Sequence, residues 1–329
     1  MLDDRKAAIL SAVVQEYIGP AMPVGSGRIA SASNVGVSAA TIRNEMSALE
    51  EQGFLAQPHT SAGRIPTDKG YRFFVDHLRG TDPVLAKADT SRVSEFFASA
   101  NSELESMLNR TSDLLSSLTD WTGVVIGPSV EVATIRSVQL VDLSAHVVMV
   151  VAVLSNGVIE KRTIETAEEV TRDIVEDAGL RLTKVVVGRS FAELSDGSMP
   201  DDDPLVSAAI AAIREAGRSS EVFVGGASRV ASAFEAVEQV RDVLAILEQQ
   251  VIVVTLISDL IDRGMSVAIG GETGMAPLAE CSLVVAPYSV DGAAAGTIGV
   301  IGPTRMDYSQ ALSAVAVVSL RLGQALSEG

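Results

Sequence analysis

The stretch from Val35 to Pro66 reads VGVSAATIRNEMSALEEQGFLAQPHTSAGRIP, and it decides the fold of the N-terminal part of the chain. Apolar residues recur in it at spacings of four and three, at Ile42, Met46 and Leu49. Ser38 precedes them as a suitable N-cap, and Gly53 follows them as a suitable helix end. The pattern predicts a helix from just after Ser38 to Gly53.

The sequence before this helix predicts two further helices. An amphipathic first helix is indicated by Ile9, Val13 and Tyr17, and a short second helix can be capped by Ser26. A tight turn at Asn34–Gly36 then leads into the next helix. A short helix, a turn and a second helix are typical of a helix-turn-helix, whose second helix enters the major groove of DNA.

The start of that second helix has the residue types that read bases. Arg can bind guanine and Asn can bind adenine through two hydrogen bonds each, and small residues allow close approach. The candidate DNA contacts of this helix are Ser38, Ala40, Thr41, Arg43 and Asn44. A helix that simply exposes its polar face would have similar residues, so the motif alone leaves both interpretations open.

The segment after the helix favours DNA binding. Phe54–Leu55 and Ile65 indicate two short strands around a loop of small residues, and Thr67 can cap a last helix. Such a hairpin is a wing, and it would offer donors to phosphates or to the minor groove. The candidate contacts are His59, Thr60, Ser61, Arg64, Lys69 and Arg72. A solvated surface loop is the alternative interpretation.

Charge divides the chain into two parts. Residues 1–80, which we call the head, contain eight Lys or Arg and eight Asp or Glu, so the whole formal charge of −17 lies in residues 81–329, the body. An acidic body repels DNA, whereas a neutral head with a basic segment can approach it. The charge distribution therefore predicts separate roles for the two parts.

The sequence offers no enzyme, cofactor or metal motif. A P-loop, a G-x-S-x-G elbow and an H-E-x-x-H pair are all missing, and the three His and Cys281 do not have ligand spacing. The GGETG segment at 270–274 fits a glycine turn better than a phosphate loop. The apolar runs are too short to span a bilayer. With one cysteine, no intramolecular disulfide is possible, so we expect a cytoplasmic protein. From the missing motifs and the short apolar runs, we expect a protein that is not an enzyme, has no cofactor and does not enter a membrane.

Two long motifs carry a family resemblance. VGVSAATIRNEMSALEEQGFL followed by QPHTSAGRIPTDKGYRFFVD, together with CSLVVAPY and GTIGVIGPTRMDY near the C-terminus, resembles the HrcA family of heat-inducible transcription repressors. The resemblance implies a dimeric repressor of chaperone operons that binds an inverted repeat, the CIRCE element. It also implies that the chaperonin maintains the active form of the repressor.

The resemblance further implies an α+β multidomain protein with a winged helix-turn-helix domain and a GAF-like α/β domain interrupted by an inserted dimerising domain. The predicted boundaries are 1–80 for the winged helix, 81–120 for a helical connector, 121–167 and 249–329 for the GAF-like domain, and 168–248 for the insertion. A small-molecule-responsive repressor whose GAF-like domain binds a ligand is the alternative function. An enzyme fused to the head is disfavoured because the motifs are missing.

Overall fold

The structure is a computed structural model, and it describes residues 2–32, 36–59, 62–78, 85–98, 104–128, 133–155, 157–190, 193–194, 203–216, 221–229, 234, 237–263 and 266–328. Within these ranges the chain forms eleven α-helices and ten strands in three antiparallel sheets. The predicted α+β class is confirmed.

The head contains four helices and a short hairpin, as predicted. Its elements are α1 (Asp4–Ile18), α2 (Ser26–Ala32), α3 (Ala39–Glu51), β1 (Leu55–Ala56), β2 (Ile65–Pro66) and α4 (Asp68–Leu78). The predicted apolar positions Ile42, Met46 and Leu49 are buried in one core with Ile9 and Val13 of α1. The turn residue Asn34 lies outside the described residues.

The body contains the remaining elements in the following order. They are α5 (Lys87–Ala98), α6 (Leu104–Thr119), β3 (Thr122–Ile126), β4 (Ile135–Ser144), β5 (Val147–Leu154), β6 (Ile159–Glu165), α7 (Arg172–Val186), α8 (Pro204–Ala216), β7 (Val222–Gly225), α9 (Val237–Glu248), α10 (Gln250–Asp262), β8 (Val267–Ile269), β9 (Cys281–Val290), β10 (Ala293–Pro303) and α11 (Tyr308–Glu328). The range of the predicted helical connector, 81–120, contains α5 and α6.

A five-stranded sheet with the order β7-β3-β10-β9-β8 forms the centre of the body. Because side chains alternate along a strand, each strand contributes to two cores. Val125 and Val300 lie in the core that contains α6, α11 and the head, whereas Val124 and Val285 lie in the core with α9 and α10. The sheet is therefore covered by helices on both faces.

A separate lobe is inserted between β3 and β7. Its three-stranded sheet, β4-β5-β6, packs against α7 and α8 around a core that runs from Ala133 to Ile213. The predicted boundary between residues 167 and 168 is therefore wrong, because it cuts through one core. The predicted end of the insertion at 248 is also wrong, since β7 pairs with β3 and α9 packs on the five-stranded sheet.

The helices of the described ranges differ in length and apolar character from membrane spans. No single helix there is long and apolar enough to cross a bilayer, although α9 and α10 pass by length and composition as a pair bent by 88°. Several apolar residues of this pair, including Val243, Leu247 and Leu256, are buried against the five-stranded sheet. Core helices commonly have this composition.

Candidate nucleic-acid interface

The start of α3 is capped as the sequence predicts. Ser38 has extended backbone angles, and its hydroxyl oxygen accepts a hydrogen bond from the Thr41 amide at 3.2 Å. The Ser38 and Thr41 hydroxyl oxygens lie 3.0 Å apart, so the Thr41 side chain also contacts the cap. The cap satisfies a free amide of the first turn and so stabilises the start of α3.

The first turns of α3 present a solvent-facing surface that we call the reading face, formed by Ala40, Thr41, Arg43 and Asn44. Ala40, Arg43 and Asn44 are exposed, and Thr41 is half-buried. Within the described part of the chain, neither the Arg43 side chain nor the Asn44 side chain has an ion-pair or hydrogen-bond partner. Their polar groups are therefore available to a ligand outside the protein.

The hairpin beside α3 is held by backbone pairing with a third segment. Val24 and Arg64 exchange two backbone hydrogen bonds of 2.9 Å each. The preceding residue must be glycine, because a Cβ atom at Gly63 would lie 2.5 Å from the backbone of Val24. The small residues of the loop thus have a structural cause in addition to any contact with DNA.

Arg64 is engaged within the head. Its guanidinium contacts the Glu50 carboxylate at 2.7 Å and the Ser47 hydroxyl at 3.3 Å, and its side chain is only 16% exposed. This contact joins the hairpin to the C-terminal half of α3. The sequence-based prediction of a phosphate donor did not anticipate these partners, and Arg64 as placed braces the hairpin.

Lys69 and Arg72 are also engaged with the protein. The Lys69 ammonium donates to the Gln52 carbonyl at 2.8 Å and lies 4.4 Å from the centre of the Phe54 ring. Arg72 points towards the body, where it contacts Glu272 and the Val267 carbonyl. The structure therefore separates Arg72 from the reading face.

The loop residues fall into two groups. His59 is exposed, and its carbonyl accepts a hydrogen bond from the Ala62 amide at 2.8 Å, which closes a turn at the loop. Thr60 and Ser61 lie outside the described residues. DNA contact by the loop stays a prediction.

The described part of the body has few groups suited to metal binding or catalysis. Among the described residues, no group of three or more His, Cys, Asp or Glu could hold a metal ion. Cys281 is buried, and burial together with the charge of Glu280 raises the pKa of its thiol to about 12. A thiol with such a pKa is a poor nucleophile, which supports the interpretation of Cys281 as a core residue.

Comparisons with known proteins agree with the resemblance over nearly the whole chain. Residues 105–312 match the family model described as "HrcA protein C terminal domain". Proteins named "Heat-inducible transcription repressor HrcA" from Thermobifida fusca (strain YX) and Streptomyces avermitilis are 38% and 37% identical to the chain. The alignments cover 99% and 100% of this chain, and 98% and 100% of the two relatives.

A solved structure has a similar fold. It carries the description "Crystal structure of a hypothetical protein at 2.2 A resolution". The two chains align with a TM-score of 0.70 and 25% identity, over 100% of this chain and 99% of the other. The similarity includes the head as well as the body.

Proposed function

The chain belongs to the HrcA family of heat-inducible transcription repressors, and we propose that it represses chaperone operons by binding the CIRCE inverted repeat as a dimer. In this proposal the head is a winged helix-turn-helix. The five-stranded sheet with its helices is a GAF-like domain, and the lobe between β3 and β7 is the inserted dimerising domain.

The observation that supports DNA binding most directly is the free reading face. Arg43 and Asn44 are exposed at the N-terminal end of a capped helix, while Glu50 lies near its far end and is paired with Arg64. In a helix-turn-helix, the N-terminal residues of the second helix contact the base edges. We assign contacts with DNA bases to Arg43 and Asn44. Ala40 and Thr41 allow the helix to approach the DNA closely, and Ser38 contacts the DNA backbone.

The hairpin supplies the other contacts in this proposal. His59, Thr60, Ser61 and Lys69 are the candidates for phosphate or minor-groove binding, because a wing lies beside the recognition helix. Arg64 supports the hairpin through Glu50 and Ser47. Arg72 contacts Glu272 of the body and is not part of the DNA interface in this proposal.

Dimerisation has a physical reason. One head makes few base contacts, whereas two heads joined in one molecule add their binding free energies on an inverted repeat. The charge distribution supports the same geometry, because the acidic body is kept away from DNA when only the heads touch it.

Maintenance by the chaperonin is the regulatory part of the proposal. The five-stranded sheet pairs β3 with β10 and with β7, so segments far apart in sequence must meet before the sheet is complete. Non-local pairing is slow and leaves apolar strands exposed during folding. Such a chain is a suitable client for a chaperonin, and loss of that assistance on heat shock would release the operons.

The alternative is that a small molecule controls the repressor. The body has a cavity of about 280 Å³ between α6 and β6, lined in part by Glu105, Glu160 and Glu221. The same lining includes Lys161 and Arg162, so its charges do not select one class of ligand, and we rank this alternative second. A ligand that binds only the folded state would raise the melting temperature, so thermal-shift screening tests it.

The function is tested by fluorescence anisotropy with a labelled CIRCE duplex and a scrambled duplex of equal length. The measurement is made at several salt concentrations, with and without chaperonin. We expect binding to CIRCE that exceeds binding to the scrambled duplex by at least about a thousandfold, with more active repressor when chaperonin is present. Equal binding to both duplexes under all conditions would reject the operator and favour the small-molecule alternative.

A further inference from the structure

Two features of the chain have no part in the function proposed so far: the GGETG turn at 270–274 and the side of α4 that carries Arg72. They contact each other in the structure. We propose that the 270–274 turn is a docking loop that holds the head in one orientation on the body. Arg72 is then a positioning residue for operator binding, and this role rests on the proposed function.

The main contact is an ion pair between residues 200 positions apart. The Arg72 Nε donates to the Glu272 Oε1 at 2.8 Å, and an Nη atom contacts the second carboxylate oxygen. The same guanidinium donates to the Val267 carbonyl at 2.9 Å. A two-point contact of this kind restricts orientation as well as distance.

Burial makes this pair stronger than a surface pair. The Arg72 and Glu272 side chains are 22% and 32% exposed. Partial burial lowers the pKa of Arg72, but the hydrogen bond and the charge of Glu272 outweigh that effect, and the resulting pKa lies above its ordinary value. Asp76 of α4 also lies 3.6 Å from the Arg72 guanidinium, so the loss of Glu272 leaves Arg72 with a more exposed counter-ion. That loss is still more costly than the loss of an exposed pair, because Arg72 and Glu272 are both partly desolvated.

The docking loop is built to present Glu272. The Glu272 carboxylate also accepts a hydrogen bond from the Ile269 amide at 2.9 Å, which fixes the side chain at the end of β8. At the other edge, the Gly271 amide faces the Asp68 carboxylate of α4 at 3.4 Å. Gly270 has a φ of +53°, and a Cβ atom there would lie 2.2 Å from an Asp68 oxygen. The glycines of the turn therefore allow α4 to approach.

Apolar packing completes the contact. The Tyr71 ring of α4 lies 5.8 Å from the Tyr308 ring, measured between centroids. Tyr308 is fixed in the body, since its hydroxyl oxygen lies 2.7 Å from that of Ser282 and donates to the Thr304 carbonyl. Asp68, Tyr71 and Arg72 lie on one side of α4 because residues three and four apart share a helix face. We call these three residues the docking face.

The docked arrangement leaves the reading face open. Arg43 and Asn44 stay exposed while Arg72 is held by the body. Docking is therefore compatible with DNA binding, and it reduces the orientational freedom that two linked heads would otherwise lose on an inverted repeat. We expect that release of the docking face weakens operator binding.

The experiment compares Glu272→Gln and Arg72→Gln in the full-length chain. The amide of Glu272→Gln keeps an oxygen for the Ile269 amide, so the loop has little reason to unfold. Both variants should bind CIRCE roughly tenfold more weakly than the unmodified chain, with an unchanged salt dependence. The double variant should be no weaker than either single variant, because both remove one coupled contact.

A second readout does not involve DNA. Spin labels on Glu51→Cys in the head and Ala294→Cys in the body report the distance between the two parts, when labelled chain is diluted into an excess of unlabelled chain so that a dimer carries one labelled copy. Burial should protect Cys281 from the label. We expect one narrow distance distribution in the parent chain and a broad one after Glu272→Gln. Arg241→Gln, which removes an exposed pair with Asp242 on α9, is the matched control and should change neither readout.

The outcomes separate the two proposals. A narrow distribution that persists in both Gln variants overturns the docking role. Normal operator binding by Glu272→Gln with a smaller salt slope for Arg72→Gln also overturns it, because Arg72 would then be a phosphate ligand. If the parent chain does not prefer CIRCE, the proposed operator fails, but the distance measurement still tests docking.

Discussion

The reading face and the docking face of the head each carry one arginine, and the two arginines have different environments. Arg43 of α3 is exposed and has no partner within the described residues, whereas Arg72 of α4 is held by Glu272 and the Val267 carbonyl. In the sequence both belong to the head and both are candidate DNA contacts. The difference shows that a basic residue near a helix-turn-helix can serve the protein's own architecture.

The reading face should be the most sensitive part of the molecule. A bidentate base contact discriminates by about 1–3 kcal/mol, and two heads double that effect. Arg43→Ala should therefore cost about 4 kcal/mol, or roughly a thousandfold in affinity for CIRCE. Anisotropy with CIRCE and scrambled duplexes measures the loss, and unchanged preference for CIRCE would remove Arg43 from the interface. Arg241→Ala on α9, which removes an exposed pair with Asp242, is the control.

One added methyl group should destabilise the hairpin next to the reading face. Gly63→Ala places a Cβ atom 2.5 Å from the backbone of Val24, and such overpacking costs about 1–3 kcal/mol. We expect a lower midpoint of thermal unfolding and weaker operator binding, with the docking face intact. Gly25→Ala is the matched control because no atom lies within 4 Å of its Cβ position. Equal stability of both variants would contradict the close approach.

One substitution in the docking face should increase the stability of the protein. Tyr71 is buried at the contact with the body, and its hydroxyl has no hydrogen-bond partner in the described part of the chain. An unsatisfied buried polar group is costly, so Tyr71→Phe should raise the free energy of unfolding by about 1 kcal/mol. Chemical denaturation of the full-length chain measures it.

Tyr288→Phe is the control for Tyr71→Phe. Its hydroxyl donates to the Ile126 carbonyl at 3.1 Å, so the same chemical change should lower the free energy of unfolding. A destabilising Tyr71→Phe would show that this hydroxyl is satisfied and that the docked contact carries no such penalty.

The smallest expected effect lies away from both faces, at the cavity between α6 and β6. Burial raises the pKa of Glu221, and the charges of Glu105 and Glu160 raise it further. Folded protein then binds more protons than unfolded protein above the ordinary glutamate pKa, so stability falls as pH rises through this window. Glu221→Gln should flatten that slope, with a gain near neutral pH below about 0.5 kcal/mol because the group is largely exposed.

Denaturation at a series of pH values measures the slope. Glu51→Gln, an exposed site on the head, is the control for general charge effects. An unchanged slope after Glu221→Gln would show that protonation of Glu221 does not contribute to the pH dependence of stability.

Local features of the head could be predicted from the sequence. Ser38, Gly53 and the spacing of Ile42, Met46 and Leu49 gave the bounds of α3, because capping and periodicity depend on neighbours within a few residues. The candidate contacts Arg43 and Asn44 were found from residue type and position on the helix.

The nesting of the body and the role of Arg72 could not be predicted in this way. β3 pairs with β7 across about the length of the inserted lobe, and no local pattern records that pairing. The boundary at 167 was misplaced because β6 and α7 differ in character but share one core. Similarly, Arg72 and Glu272 meet across 200 residues, so the glycine turn gave no sign of its partner.

The most direct test of the two faces is a salt series of CIRCE and scrambled-duplex binding for Arg43→Ala and Arg72→Gln, side by side. We expect that Arg43→Ala loses the preference for CIRCE, whereas Arg72→Gln keeps the preference at lower affinity with the parent salt dependence. If Arg72→Gln instead loses about one unit of salt slope on both duplexes and Arg43→Ala keeps its preference, the assignment of the two faces is contradicted.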